Sequence, residues 1–341
     1  QMYPVVWDSI RTDIDHSGKK GQYILTGSAR PSEGETMHTG TGRISRVLMR
    51  PMSLYESGES TGEVSFNDVL EGKDISGVSK LSLEDLASII VRGGWPASIE
   101  VKNSAKYRFA KEYVKSLIHE EVKKVDSVER NPEKMQNVLR SLARNISTSV
   151  SNSTIEGDVK NNFDDDISRP TLTDYLNTLE KLFVIENVNA TNLNFRSKYA
   201  LRTKSKKYFV DPSIATAILE ITPNDLIMDL NTFGFMFESL CMRDLKIYTQ
   251  SYGGDITFYR DEKDFEVDAI FRTSSGKWGA IEIKLGAGYI DEAANNLLKF
   301  KERVDIEKCG EPAFLAVLTG AKYSYKRDDG VYVISIGTLK N

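Results

Sequence analysis

The sequence predicts an α/β fold divided into several domains, and three observations predict it. Its 341 residues exceed the roughly 150 of one typical domain, so two or three units are expected. Strand-type runs and stretches of helical period follow one another along the chain, and residues 233–336 give the order αβββαβ with one added strand. The composition, 40% hydrophobic and 28% charged, is that of a globular protein and excludes a disordered polymer, a collagen-like chain and a disulfide scaffold.

Composition narrows the function as well. Two cysteines, Cys241 and Cys309, and three histidines supply neither a zinc cluster nor a disulfide framework. The longest nearly apolar stretch, residues 313–319, is far short of the roughly 20 residues of a membrane helix, so no membrane partner is expected. No signal-peptide pattern opens the chain, and a cytoplasmic location is expected. A net charge of −4 requires any nucleic-acid contact to come from a local basic patch.

Taken in order, Val5, Val6, Ile10 and Ile14 space out an amphipathic helix over 4–14. Residues 22–27 read as a short buried strand, and 43–53 as a second one carrying Arg43, Arg46 and Arg50. This opening has the character of the middle of an α/β domain, because one βα unit without parallel partners cannot cover both faces of its sheet. A helical stretch over 81–128 follows, broken at Gly93-Gly94-Trp95-Pro96.

Residues 133–210 resemble a winged-helix module: helices at about 132–145 and 153–160, then a third that Ser168 caps with Pro170 behind it. Strands at 183–190 and 207–210 follow. Between them Arg196, Lys198, Arg202, Lys204, Lys206 and Lys207 occur with no acidic residue, a pattern that suits a wing touching DNA phosphates. A solvated charged hairpin fits the same pattern.

The last unit carries the chemistry. Strands 266–271 and 278–285 flank the turn Thr273-Ser-Ser-Gly-Lys277, and a hairpin centred on Ser275 sets Asp268 directly opposite Glu282. Lys284 shares the face of Glu282 by the two-residue period. Cross-strand carboxylates about 4.5–5.5 Å apart repel each other unless something neutralises them. A hard divalent cation, magnesium or manganese, does so through oxygen ligands. An exposed face of alternating charge is the plainer reading, but Val267, Ala269, Ile281 and Ile283 make the opposite face wholly apolar.

Asp268, fourteen residues, then Glu282-Ile-Lys284 resembles the motif of the PD-(D/E)XK nuclease superfamily, whose core is also αβββαβ. That resemblance implies Asp268 and Glu282 as metal-binding and catalytic groups, Lys284 as support for the nucleophilic water, and Glu238 of the first core helix as a fourth member. Val267 stands where the superfamily usually has Pro.

A wider resemblance rests on Tyr23-Ile-Leu-Thr-Gly-Ser-Ala29, Gly42-Arg-Ile-Ser-Arg46, Arg50-Pro-Met-Ser-Leu-Tyr-Glu56 and Arg92-Gly-Gly-Trp-Pro-Ala97. These segments, in this order, resemble a bacterial family of predicted AAA-type ATP-binding proteins that end in a domain of unknown function 4143 with a nuclease-like fold. The resemblance implies four parts: a remnant of the AAA-type core at 1–56, a helical lid or linker at 57–130, a winged helix at 131–212 and the nuclease-like domain at 230–341. No Gly-Lys-Ser or Gly-Lys-Thr occurs, so the P-loop is lacking; with Gln1 as first residue, a C-terminal fragment is expected, and ATP binding belongs to the full-length protein. The resemblance also implies Ser28 as a polar sensor near the γ-phosphate, and Arg43 and Arg46 as contacts to nucleotide or to a neighbouring subunit of a homo-oligomer.

Three functions compete on this sequence. One is a metal-dependent phosphodiesterase acting on DNA; the second is an ATP-driven regulatory protein whose nuclease-like domain is silent; the third is an interaction scaffold using neither metal nor nucleic acid.

Overall fold

The structure, a computed structural model, describes residues 5–27, 44–122, 128, 130–163, 166–191 and 203–341. It is mixed α/β, as the sequence predicts.

Helix α1 (Val5–Ser17) forms where its apolar spacing requires. The two strands expected after it do not. Residues 21–27 are exposed coil, and 44–53 are irregular. Extended segments without neighbours to complete their ladders leave backbone N–H and C=O groups to water. Residues 50–54 thread between the other units instead: Met52 N donates to Gly94 O at 2.8 Å, and Leu54 is fully buried.

The segment expected as one helical linker is divided. Its first part, β1 (Val64–Ser65), α2 (Phe66–Leu70) and β2 (Ser76–Val78), belongs with the C-terminal unit: β1 pairs with the last strand of the chain in a small sheet of its own, and β2 adds to the main sheet. The helices follow as α3 (Leu83–Arg92), α4 (Pro96–Ile99) and α5 (Arg108–Ser116), with a π turn over Leu117–Glu121. Ser82 and Asp85 cap α3 reciprocally, and Gly93, at φ 78°, ends it in the left-handed region that glycine tolerates.

Three helices, α6 (Pro132–Arg144), α7 (Asn152–Phe163) and α8 (Arg169–Lys181), lead to an antiparallel pair, β3 (Ile185–Val188) and β4 (Lys206–Phe209). The order is that of the expected winged helix, with Ser168 accepting from Thr171 N at the start of α8. Short helices α9 (Pro212–Ile218) and α10 (Pro223–Met228) pack back on α3, α5 and α6, so linker and three-helix module share one core.

The C-terminal unit begins with α11 (Leu230–Ser251) and continues through β5 (Asp255–Arg260), β6 (Glu266–Arg272) and β7 (Trp278–Lys284). Helix α12 (Ile290–Arg303) and the single turn α13 (Ile306–Cys309) precede β8 (Phe314–Thr319), β9 (Tyr323–Lys326), β10 (Tyr332–Ser335) and β11 (Leu339–Lys340). The αβββαβ order is present. The main sheet runs β2-β9-β10-β8-β7-β6-β5, with β7, β8 and β10 mutually parallel. One face buries Val267, Ala280, Val317 and Val333 beneath α12; the other buries Ala269, Phe271, Ile281 and Ile334 in a core shared with α11 and the middle unit. Alternation along each strand produces the two faces.

Candidate functional site

The predicted hairpin register is observed. Ala269–Ile281, Ile270–Ala280, Phe271–Gly279 and Arg272–Trp278 pair across β6 and β7 about a turn at Ser275. The next pair would be Asp268 and Glu282, and there the ladder stops. Asp268 Oδ2 accepts a hydrogen bond from Ile283 N at 2.8 Å, so a side chain takes the place of a backbone partner. A bulge causes this. Against β5 the register shifts between Thr257 and Tyr259, and Val267 and Ile270, three positions apart, both lie under α12. Bulges re-aim side chains at the ends of ladders.

At this fork the three predicted residues meet. Lys284 Nζ lies 2.9 Å from Glu282 Oε2 and 3.4 Å from Asp268 Oδ2. Glu282 is buried, and Asn296 of α12 donates to its Oε1 at 2.5 Å and to Glu266 O at 3.1 Å. Burial, then the neighbouring Asp268 charge, pushes the Glu282 carboxyl up to about 8, with Lys284 and Asn296 opposing. Burial would lower Lys284, yet Asp268 and Glu282 hold it above the usual lysine range.

Glu238 of α11 stands beside this pair. Tyr208 donates to its Oε1 at 2.6 Å and Lys206 Nζ lies 3.3 Å away, both from β4 of the middle unit. Lys206 also reaches Glu266 Oε1 at 2.5 Å. Burial and the Asp268 charge raise Glu238 to about 7 against the pull of Lys206 and Tyr208. Among the described residues no three His, Cys, Asp or Glu side chains gather as a cation-binding group. In this arrangement the Glu238 carboxylate is turned to Lys206 and Tyr208.

Two lysines of the basic segment are withdrawn from solvent. Lys206 is buried and ion-paired, because β3 continues onto the outer sheet strand: Phe258 N donates to Asn189 O and Thr191 N to Phe258 O. That docking seals the base of the hairpin against β5. Lys207 is half-buried, its Nζ 2.8 Å from Asn187 Oδ1, and burial lowers its pKa. Lys204 is exposed, while Arg196, Lys198 and Arg202 lie outside the described residues. Ser28 and Arg43 lie outside them too, and Arg46 is exposed in irregular backbone.

Sequence reasoning missed Glu266, Tyr208 and Asn296. The two-residue period could have flagged the first two, since Glu266 precedes Asp268 by two and Tyr208 follows Lys206 by two. Nothing local marks Asn296.

Comparisons with known families divide the chain as the packing does. Residues 83–225 match the model of a domain of unknown function, DUF8612, covering the fused linker and three-helix module. Residues 233–339 match that of a second domain of unknown function, DUF4143, as the sequence resemblance implies for the C-terminal unit. No curated protein and no solved structure matches the chain. No helix among the described residues is long and apolar enough to cross a membrane.

Proposed function

We propose that a chain combining a DUF8612 unit with a DUF4143 unit carries, in the second, a divalent-metal site for cleaving phosphodiester bonds in DNA. The observation that carries this reading is the meeting of Asp268, Glu282 and Lys284 where β6 and β7 part. Magnesium is commonly held by one or two carboxylates, with water and substrate phosphate completing the shell. Asp268 and Glu282 fit that requirement; burial first, and then the neighbouring Asp268 charge, raise the Glu282 carboxyl, and a cation would relieve both.

Asp268 and Glu282 would hold magnesium or manganese. Such an ion, when bound, would supply an acidified water and stabilise charge on the leaving oxygen. Lys284, within 3.4 Å of both carboxylates, is placed to steady the attacking oxygen and the phosphate. Asn296 fixes the Glu282 carboxylate by its 2.5 Å hydrogen bond. The resemblance to AAA-type proteins adds ATP binding as the step that would drive or gate this domain in the cytoplasm.

A second reading has its own observation. Lys206 already pairs with Glu238 and Glu266, and Lys284 with Asp268 and Glu282. An ion-paired cluster of this kind suits a silent nuclease-like domain in an ATP-driven regulatory protein that grips DNA through the exposed part of the wing.

Calorimetry with manganese and cleavage of plasmid and linear DNA separate the readings. The first expects manganese binding by the wild type that Glu282→Ala abolishes, and cleavage that Asp268→Ala abolishes. Equal cleavage by wild type and Asp268→Ala ends it. Salt-dependent DNA binding without cleavage, unchanged in Asp268→Ala, supports the second. Neither metal binding nor DNA binding would leave only an interaction scaffold.

A further inference from the structure

Lys284 pairs with Thr319 across β7 and β8, and Thr319 with Ser335 across β8 and β10. In the next ladder Val333 pairs with Tyr325, and continuing that register by two residues sets Tyr323 beside Ser335. Lys284, Thr319, Ser335 and Tyr323 thus fall in line over three strand spacings, about 14 Å, with Thr319 and Ser335 buried and only the two ends, Lys284 and Tyr323, reached by solvent. They also share a face. Glu282, two before Lys284, pairs with Val317 under α12, and Tyr325, two after Tyr323, pairs with Val333 under α12.

Helix α12 does not extend over the outer strands on this face. Tyr323 is 58% exposed, and Val78, its partner on β2, and Tyr325 are exposed beside it. Exposed Lys322 holds its Nζ 5.7 Å from the centre of the Tyr323 ring. Tyr289, 60% exposed, stands at the entry to α12, with its ring 3.9 Å from where a Cβ of Gly286 would lie. Gly286 is two residues beyond Lys284. The two loops leave the sheet side by side: a Cβ on Gly320 would sit 2.9 Å from Leu285 O. Asp291, close to Tyr289 in sequence, is taken up by an ion pair with Arg327.

Resting on the phosphodiesterase reading, we propose that the exposed Tyr323 at one end of this row, with Lys322 and Tyr289, is the substrate platform of the site, and that its substrate is single-stranded nucleic acid. Tyr289 and Tyr323 offer ring faces on which unpaired bases stack, Lys322 meets a phosphate, and the strand runs on to Lys284 and the carboxylate fork. Exposed aromatic faces with an interleaved cation are the chemistry of single-strand binding. A duplex keeps its base faces stacked inside and cannot use the two rings.

Fluorescence polarisation of the full chain with a fluorescein-labelled twelve-nucleotide oligo-dT, and with a duplex of equal length, tests this in EDTA. The wild type is expected to prefer the single strand. Tyr323→Ala and Tyr289→Ala are each expected to weaken it roughly 5- to 100-fold, with the Phe variants near wild type. Lys322→Gln is expected to flatten the salt dependence by about 0.7 in log–log slope. Unchanged affinity in both Tyr→Ala variants, a preference for duplex, or no oligonucleotide binding overturns the platform. Because the assay contains no metal, its outcome is separate from that of catalysis. Stacking-dependent binding without manganese-dependent cleavage keeps the platform and ends the phosphodiesterase reading. Cleavage unaffected by either Tyr→Ala variant does the reverse.

Discussion

Lys206 Nζ and Glu266 Oε1 lie 2.5 Å apart, joining a strand of the middle unit to a strand of the C-terminal sheet. The lysine side chain is only 4% exposed, and it also faces Glu238. A buried cation with two carboxylate partners holds the hairpin on the sheet more firmly than a surface pair could, since removing one partner strands the others in low dielectric.

Lys206→Met is therefore expected to destabilise the chain by about 3–5 kcal/mol. Hydrogen exchange should localise the loss: the amides of Thr191 and Phe258, which bond across the junction, exchange faster, while those of β8 hold. Uniform acceleration in all strands, or none, would contradict this.

The acid at the fork gives stability a pH dependence. Glu282 sits at about 8 in the fold against a usual 4.5, so between these values the native chain holds a proton that the unfolded chain has released. Stability through this group falls as pH rises across that window and levels off above it. Glu282→Gln removes the effect. In EDTA it is expected to be more stable than wild type by about 1–3 kcal/mol at pH 8.5, with little difference at pH 4. Urea midpoints of the two proteins falling in parallel would count against it.

Arg243 tests a different junction. Its guanidinium is buried between Asp211 Oδ2 at 2.9 Å and Asp244 Oδ1 at 2.8 Å; Asp211 accepts Gly94 N and Asp244 accepts Leu54 N. Arg243→Met leaves two buried carboxylates without their cation and is expected to cost about 3–5 kcal/mol. Lys73→Ala, which removes the exposed pairs to Asp68 and Glu71, should leave stability nearly unchanged. Similar thermal shifts for the two variants would refute the contrast.

Gly94 is required by space. A Cβ there would lie 2.3 Å from Met52 O and 2.8 Å from Met52 N, against backbone that cannot swing aside. Gly94→Ala is expected to lose about 1–3 kcal/mol. Gly157→Ala, at an open helical position, should lose nothing and is the control by thermal denaturation.

Local pattern alone determined the longer helices, the αβββαβ order and the β6–β7 register, because periodicity and turn chemistry act over a few residues. That is why Asp268, Glu282 and Lys284 could be placed together from the sequence. It also determined the break at Gly93-Gly94 and the cap at Ser168. Only the tertiary structure decided what the same residue types do across long separations. Residues 22–27 and 44–53 have strand composition but no neighbouring strand, so they remain irregular; residues 76–78, unremarkable in sequence, gain β9 and become the sheet edge. Lys206 sits in a run that reads as basic and solvated, yet docking of β3 on β5 buries it and makes it the counter-ion of Glu238 and Glu266. Charge and period are properties of a segment. Burial and partnership belong to the assembled sheet, where a carboxylate or an ammonium group must be paired once water is removed.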